Sequence, residues 1–521
     1  MKITQYRLIF LVSLFFVLFD NYSFFENVLK VYPFEQNSYY VVSTGLFLLL
    51  FLVLFFTLLS SKFTTKPLLI LTLVVSAFTS YFMNTYHIII DDSMIRNSLQ
   101  TDMAESMDLF TFKLVLYVLF LGILPSYLVY KSKIEYKSFG KELFLKLKTI
   151  VLSILLIVII LFSFSKFYTS FFRENKPLRY YTNPTYWIYS IGKYIDRTYN
   201  TQPLVLKEIG LDAKIDSNSS KRKIVIMVVG EAARADRFSL NGYNRDTNPL
   251  LKHEKLINFS NMYSCGTSTA HSVPCMFSMY DREDYNYKKG ISTENVLDVI
   301  NRTKKVDILW RDNNSDSKGV ALRVDYEGFK SSNKFVRCEG ECRDEGMLVG
   351  LDERIKNAGS KDVLIVLHQM GNHGPAYYKR YPKEFEKFKP VCKTNQIEKC
   401  TQEEVSNAYD NAILYTDYFL TKVIEFLKPY SKGNEVAMLY MSDHGESLGE
   451  GGVYLHGLPY FMAPDAQKHI GSMIWFGDSN KTDKFSRIEN MKFSQDNLFH
   501  TLLGLFDIDT EVYNNKKDMF K

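Results

Sequence analysis

The chain holds no cysteine before residue 265, and none of the six that follow forms a close CxxC pair, which argues against thiolate zinc-finger chemistry. Internal repeats and low-complexity tracts are absent, so a repeat array is excluded as well. The first apolar run lacks a small-residue cleavage site and is interrupted by Asp20, Asn21 and Tyr22. It reads as an uncleaved helix and not as a signal peptide. A large excess of one charge is also missing. The net charge of +6 comes largely from lysines between apolar runs, and no nucleic-acid partner is expected.

What is present is a strong asymmetry. The hydrophobic fraction of 46% conceals five apolar runs, at 8–30, 39–61, 67–90, 113–130 and 149–172, each long enough to cross a hydrocarbon core about 30 Å thick. Residues 1–172 are therefore expected to form a transmembrane domain of five helices. Lys2, Arg7, Lys62, Lys66, Lys131, Lys133, Lys137, Lys141, Lys146 and Lys148 flank or join these runs on one side, which assigns that side to the cytoplasm. An odd number of spans then exports the remainder. Cys265, Cys275, Cys338, Cys342, Cys392 and Cys400 all fall in that exported part, where an even count suggests disulfides. Pairing of neighbours along the chain is the simplest connectivity; six unpaired core thiols are the alternative.

Residues 173–220 carry the aromatic clusters Tyr180–Tyr181 and Tyr186-Trp187-Ile188-Tyr189 and read as a bridging segment at the bilayer surface. In residues 221–521 the short runs Ile224–Val229, Val306–Trp310, Val363–Leu367, Val436–Met441 and Ser472–Phe476 alternate with helical segments. This predicts an α/β domain whose mostly parallel sheet is sandwiched by helices. Polar motifs follow the strands directly, where open α/β sheets place their ligands. Glu231 follows the first strand, and Asp443 and His444 follow Val436–Met441. These residues supply the oxygen and nitrogen ligands that zinc accepts, although a helix cap at Glu231 and a structural turn at Asp443 explain each alone equally well. Between them, Thr269 stands in a small-residue turn leading into a helical stretch. A hydroxyl at a helix start meets free backbone amides and the positive dipole end, which favour an alkoxide and a phosphate. Contact with a metal makes it a usable nucleophile near neutral pH. An ordinary N-cap is the alternative.

Together, Gly230-Glu231-x-x-Arg234-x-Asp236, Cys265-Gly266-Thr267-Ser268-Thr269, His368-x-x-Gly371-x-His373-Gly374-Pro375, Ser442-Asp443-His444-Gly445-Glu446 and Leu455-His456-Gly457 resemble the phosphoethanolamine transferase family, including its polymyxin-resistance enzymes, over essentially the whole chain. The resemblance implies an alkaline phosphatase- and sulfatase-like catalytic domain in the periplasm of a multi-pass bacterial inner-membrane protein. It implies a zinc ion held by Glu231, Thr269, Asp443 and His444, with Thr269 carrying phosphoethanolamine in a covalent intermediate. His373 and His456 would bind the phosphoryl group, the leaving oxygen or a second metal. Ser315 and Lys318, in the stretch from Trp310 to Lys318, would bind substrate. It also supports the pairs Cys265–Cys275, Cys338–Cys342 and Cys392–Cys400. His271 departs from the pattern, which has an aromatic or small residue there.

Asn97, Thr101 and Glu105 recur every four residues in 91–110, while Ile95, Leu99, Met103 and Met107 form a series offset by two. Such an offset makes an amphipathic interfacial helix. Its polar stripe matches the family's positions for the ethanolamine headgroup of phosphatidylethanolamine; a solvent-facing stripe is the plain alternative. The expected activity is transfer of phosphoethanolamine from phosphatidylethanolamine to lipid A or a related envelope glycan, by a monomer. Phosphoglycerol transfer of the lipoteichoic acid synthase type and a non-catalytic membrane sensor are the rival readings. A sulfatase is excluded because Met276 stands where its modification motif requires arginine.

Overall fold

The computed structural model describes residues 2–100, 107, 109–199, 205–215, 221–329, 338–339, 341–395 and 397–521. It divides into two units, Met1–Ile95 with Phe110–Asp196, and Arg96–Leu109 with Arg197–Lys521.

The first unit is helical. Helix α1 (Gln5–Phe15) passes through a π-turn at Phe16–Asp20 and bends by 59° into α2 (Tyr22–Val31). After α3 (Phe34–Leu59), α4 (Thr65–Tyr86) and the short α5 (Asp92–Gln100), whose residues from Arg96 onward belong to the second unit, come α6 (Phe112–Lys131) and α7 (Phe139–Ser163). Helices α3, α4, α6 and α7 are each long and apolar enough to cross a membrane. Among the described residues the five expected spans thus become four helices and a bent pair, which makes a fifth only if its halves cross together. The last expected run also moves: α7 starts at Phe139 and stops at Ser163, and Phe164 turns the chain into α8 (Ser165–Glu174). Hydropathy misplaces this helix because its first turns carry Lys141, Lys146 and Lys148. Only Ser153 of α7 is buried, so its apolar side chains form the kind of surface that lipid covers.

A buried polar knot holds the α1–α2 bend. Asn21 Nδ2 donates to Phe16 O (2.9 Å) and Asn183 O (2.7 Å), and Asn183 N donates back to Asn21 Oδ1 (2.9 Å). Asn183 Nδ2 donates to Ser80 Oγ (2.8 Å), which donates to Asp20 Oδ1 (2.9 Å). Backbone groups freed by a break among apolar helices need such partners. At the other end of the unit, Lys66 Nζ donates to Tyr130 O (2.8 Å) and Ser132 O (2.6 Å), and Lys146 Nζ to Ser60 O (3.0 Å). Lys2 and Ile3 pair with Lys133 and Ile134. The basic segments that the sequence places on one side therefore gather at one end, where lysines cap helix carbonyls. The aromatic bridging stretch forms α9 (Thr185–Tyr199).

The second unit is built on a seven-stranded sheet. In chain order its strands are β1 (Lys223–Gly230), β2 (Leu256–Asn258), β3 (Val306–Asp312), β4 (Asp325–Gly328), β5 (Asp362–His368), β6 (Glu435–Ser442) and β7 (Ser472–Phe476); in space they run β2-β7-β6-β1-β5-β3-β4. From β6 to β4 all pairings are parallel, and β7 pairs antiparallel with both β6 and β2. Every residue of β1 is buried, as a central strand covered on both faces requires. Helices α11 (Val296–Arg302) and α13 (Leu498–Leu505) pack Val299, Ile300, Phe499 and Leu502 with Val225, Met227, Leu364 and Leu439 into one core. The long α12 (Gln402–Leu427) starts in a capping box between Thr401 and Glu404. The five strands expected from sequence are present. The short edge strands β2 and β4 were not expected, because three or four partly exposed residues carry too little pattern.

Candidate active site

Register brings the polar motifs together. Gly230 pairs with Ser442, so Glu231 and Asp443 leave adjacent strands side by side. Val229 pairs with His368, and His368 with Asp312, which aligns the ends of β5 and β3 with them. Thr269 begins α10 (Thr269–Met276), one residue after the N-cap Ser268.

Glu231, Asp443 and His444 are completely buried and Thr269 is 3% exposed. Thr269 Oγ1 donates to Glu231 Oε2 (3.2 Å) and lies 3.4 Å from His444 Nε2. His444 Nε2 is 3.4 Å from both Glu231 Oε1 and Asp443 Oδ2. Asp443 Oδ1 accepts from the N–H groups of Ala232 (3.1 Å) and His444 (2.7 Å), whereas its Oδ2 is buried and, among the described residues, accepts no hydrogen bond. His444 Nδ1 is 2.7 Å from Gly445 O; donation there turns Nε2 toward Thr269, Glu231 and Asp443. Burial disfavours charge on His444, but Asp443 and Glu231 outweigh it and push the imidazole up. Burial opposes ionisation of Glu231 too, and the neighbouring imidazoles, His444 foremost, hold it below the usual carboxylate range. Two buried carboxylates around one imidazole demand a cation, and ligand atoms of Glu231, Asp443 and His444 lie within 4.8 Å of one another. An orphaned carboxylate oxygen and an O, O, N, O donor set fit a divalent metal.

Several holders of this site were not legible in sequence. Asn314 Nδ2 donates to Glu231 Oε2 (2.7 Å) and Gln369 O (2.8 Å), fixing the carboxylate's plane. Gln495 Nε2 donates to Ser442 O and Asp443 O (both 2.8 Å), while its Oε1 accepts from Cys265 N (2.6 Å). One glutamine thereby joins the turn before Thr269 to the turn at Asp443. Ser272 Oγ adds a bond to Asp443 O (2.6 Å). Their partners are far away in the chain, so no local pattern announces them. Ala232, Lys318 and Leu455 adopt positive φ (53°, 52° and 62°) without being glycine, and such backbone clusters at functional sites.

Of the remaining expected residues, His456 stands beside the cluster, its ring 4.3 Å from that of His444, and His373 is 5.9 Å from His456. Lys318 Nζ donates to Ser315 O (2.7 Å), Ser315 Oγ (2.8 Å) and Gln100 O (3.4 Å). Asn97 lies in α5; Thr101 and Glu105 lie outside the described residues. All six cysteines are paired, as Cys265–Cys275, Cys338–Cys342 and Cys392–Cys400. His271 packs edge-on against Tyr285 (5.3 Å) and over Gly266, where a Cβ would come 2.7 Å from the ring, so it fills the back of the turn before Thr269.

Comparison with known proteins decides the family. The description "Phosphoethanolamine transferase EptA/EptB" matches residues 48–199, and "Sulfatase" matches residues 223–508. Phosphatidylethanolamine transferase Mcr-2 of Escherichia coli is 45% identical, over 97% of this chain and 96% of its own. The chain belongs to the phosphoethanolamine transferase family. Phosphoethanolamine transferase EptA of Escherichia coli K12 is 40% identical over 96% of this chain and 94% of its own. The structure of the integral membrane protein lipooligosaccharide phosphoethanolamine transferase A from Neisseria meningitidis superimposes with a TM-score of 0.94 at 36% identity, covering 99% of this chain and 98% of that one. This phosphoethanolamine transferase therefore pairs an apolar helical unit with a sulfatase-like α/β unit, and its buried cluster sits at the carboxyl edge of the sheet.

Proposed function

We propose that this transferase moves phosphoethanolamine from phosphatidylethanolamine to lipid A or a related envelope glycan by double displacement through Thr269. The supporting observation is the placement of Thr269 Oγ1, at a helix start and within 3.2–3.4 Å of Glu231 and His444. Glu231, Thr269, Asp443 and His444 would hold one zinc ion, and His373 and His456 would bind the phosphoryl group or the leaving oxygen at the transferring group, a second metal there being the alternative. Bound zinc supplies a Lewis acid that lowers the hydroxyl pKa and neutralises phosphoryl charge. Thr269 Oγ1 attacks phosphorus, a new P–O bond forms, and the bond to diacylglycerol breaks, its oxygen taking the proton that the threonine gives up. An acceptor oxygen then attacks the same phosphorus, and Thr269 leaves with a proton returned. Lys318 and Ser315 add positive charge and a donor at the phosphoryl oxygens. Asn97, Thr101 and Glu105 would receive the ethanolamine headgroup.

The names of Mcr-2, a phosphatidylethanolamine transferase, and of the meningococcal lipooligosaccharide enzyme support this choice of donor and acceptor. We assign residues 1–172 to the membrane, 173–220 to a bridge at its surface, and 221–521 to a periplasmic catalytic domain of a monomer, in keeping with basic segments gathered at one end of the helical unit. The decisive test is intact-protein mass spectrometry after incubation with phosphatidylethanolamine alone. A phosphoethanolamine adduct mapping to Thr269, absent from Thr269→Ala, is expected. Near-normal turnover by Thr269→Ala would sink the double displacement.

A further inference from the structure

Beside the metal ligands lies a carboxylate that the proposed mechanism does not use. Glu446 is completely buried, and both of its oxygens are engaged. Oε1 accepts from the Tyr377 hydroxyl (2.6 Å), and Oε2 is paired with His456 Nδ1 (2.8 Å). We infer that Glu446, oriented by Tyr377, is the positioning residue that fixes the tautomer and plane of His456. The inference rests on the proposed place of His456 at the transferring group.

Three features build this arrangement. Tyr377 is 1% exposed and stacked edge-on against Tyr409 (5.4 Å), so its hydroxyl has one direction. A Cβ at position 374 would lie 2.6 Å from Glu446 Oε1 and 2.8 Å from the Tyr377 oxygen. Only glycine lets the chain pass so close to this pair, which explains its place in His373-Gly374-Pro375. The backbone at Glu446 is held independently of its side chain, because Arg234 Nη1 donates to Glu446 O (3.0 Å) while its Nε and Nη2 grip Asp236 (2.6 and 2.7 Å). On the other side, Leu455 at φ 62° sets the direction from which His456 enters.

A carboxylate has no proton to give, so His456 Nδ1 carries the N–H and donates it to Glu446. The ring's other nitrogen, Nε2, is then an acceptor. Without the carboxylate, neutral imidazole distributes between two tautomers and can rotate; with it, one acceptor is presented in one plane, next to His444. His444, Glu446 and His456 also offer ligand atoms within 4.8 Å of one another, so a cation held by Glu446 itself is the competing role, and metal content separates the two.

The test uses full-length protein in detergent with phosphatidylethanolamine in mixed micelles, reading diacylglycerol release and zinc per chain. Glu446→Met keeps the side-chain volume but removes the acceptor, and Glu446→Gln keeps an acceptor oxygen. We expect Glu446→Met to lower kcat about 10- to 100-fold, as with lost carboxylate partners of functional imidazoles, with KM and zinc unchanged. Glu446→Gln should stay within about fivefold of the parent, since a neutral acceptor replaces a charged one. In a His456→Ala background, Glu446→Met should add less than about twofold, because its route of action is gone. Should Glu446→Met misfold, Tyr377→Phe carries the same cycle with a smaller effect. Equal activity of the Met and Gln variants, an undiminished Glu446→Met loss in the His456→Ala background, or a fall in zinc content would each overturn the inference. Near-normal turnover by His456→Ala alone would instead remove the role of His456 on which it rests, and the inference with it.

Discussion

Asp443 divides its work between its two oxygens: one holds the backbone N–H groups of Ala232 and His444, and the other accepts nothing and lies 3.4 Å from His444 Nε2. Replacement by alanine removes both a proposed metal ligand and the brace of the turn. We expect Asp443→Ala and Glu231→Ala to lose most bound zinc, by elemental analysis, and at least about 100-fold in transfer, whereas Asn314→Ala, which frees only the plane of Glu231, should weaken zinc affinity by about 10- to 100-fold. Thr269→Ser keeps the hydroxyl but loses the methyl that restricts its rotamer; reduced but measurable transfer is the expected result. A different residue sets an acid limit on stability. Burial, assisted by Lys517, pulls His500 down to about 4, and its Nδ1 accepts from Asn514 N (3.2 Å), a role open only to the neutral ring. The unfolded chain protonates near 6.5, so between pH 6.5 and 4 it binds the proton that the folded state refuses. That stability is complete above pH 6.5 and is lost as pH falls toward 4, on the order of 2 kcal/mol. Denaturant titrations should show the slope in the parent and a flatter one in His500→Gln; identical slopes would count against it.

Elements meet the site through close backbone approaches. The loop after β5 brings Gly371 (φ 50°) over Glu231, where a Cβ would lie 3.0 Å from the Glu231 carbonyl and 3.1 Å from its Cβ. Gly371→Ala should displace Glu231, the proposed ligand, and lower zinc occupancy while leaving the circular dichroism of the sheet unchanged; full occupancy would show that the loop yields instead. The Cys265–Cys275 bond ties the turn before Thr269 to the end of α10. Replacing both cysteines should cost about 2–5 kcal/mol, and turnover should fall before the far-UV spectrum changes. In the helical unit, Asn183→Ala unties Asn21 and Ser80 from the bend, at an expected cost of roughly 1 kcal/mol, modest because polar groups among apolar helices find other partners when unfolded.

For the whole molecule, the question is which lipid the site accepts. Diacylglycerol should be released from phosphatidylethanolamine and not from phosphatidylglycerol, in assays of the full chain with each lipid; the opposite preference would restore the phosphoglycerol reading. On the proposed zinc site, which only the folded chain assembles, exhaustive chelation should lower the thermal midpoint as well as activity, and added zinc should restore both.

The sequence by itself determined which stretches are apolar enough for lipid, which runs become buried strands, and which residues follow those strands. Glu231, Thr269, Asp443 and His444 were legible because each sits where a strand or helix begins or ends, and side-chain periodicity reports such boundaries locally. The break at Phe164, the start of α7 among lysines, the edge strands β2 and β4, and the roles of Asn314, Gln495 and Glu446 were decided only by the tertiary structure. Their partners lie tens or hundreds of residues away, at Glu231, Cys265 and Tyr377. A hydrogen bond between such residues depends on strand order and register, which the hydrophobic pattern of one segment does not encode.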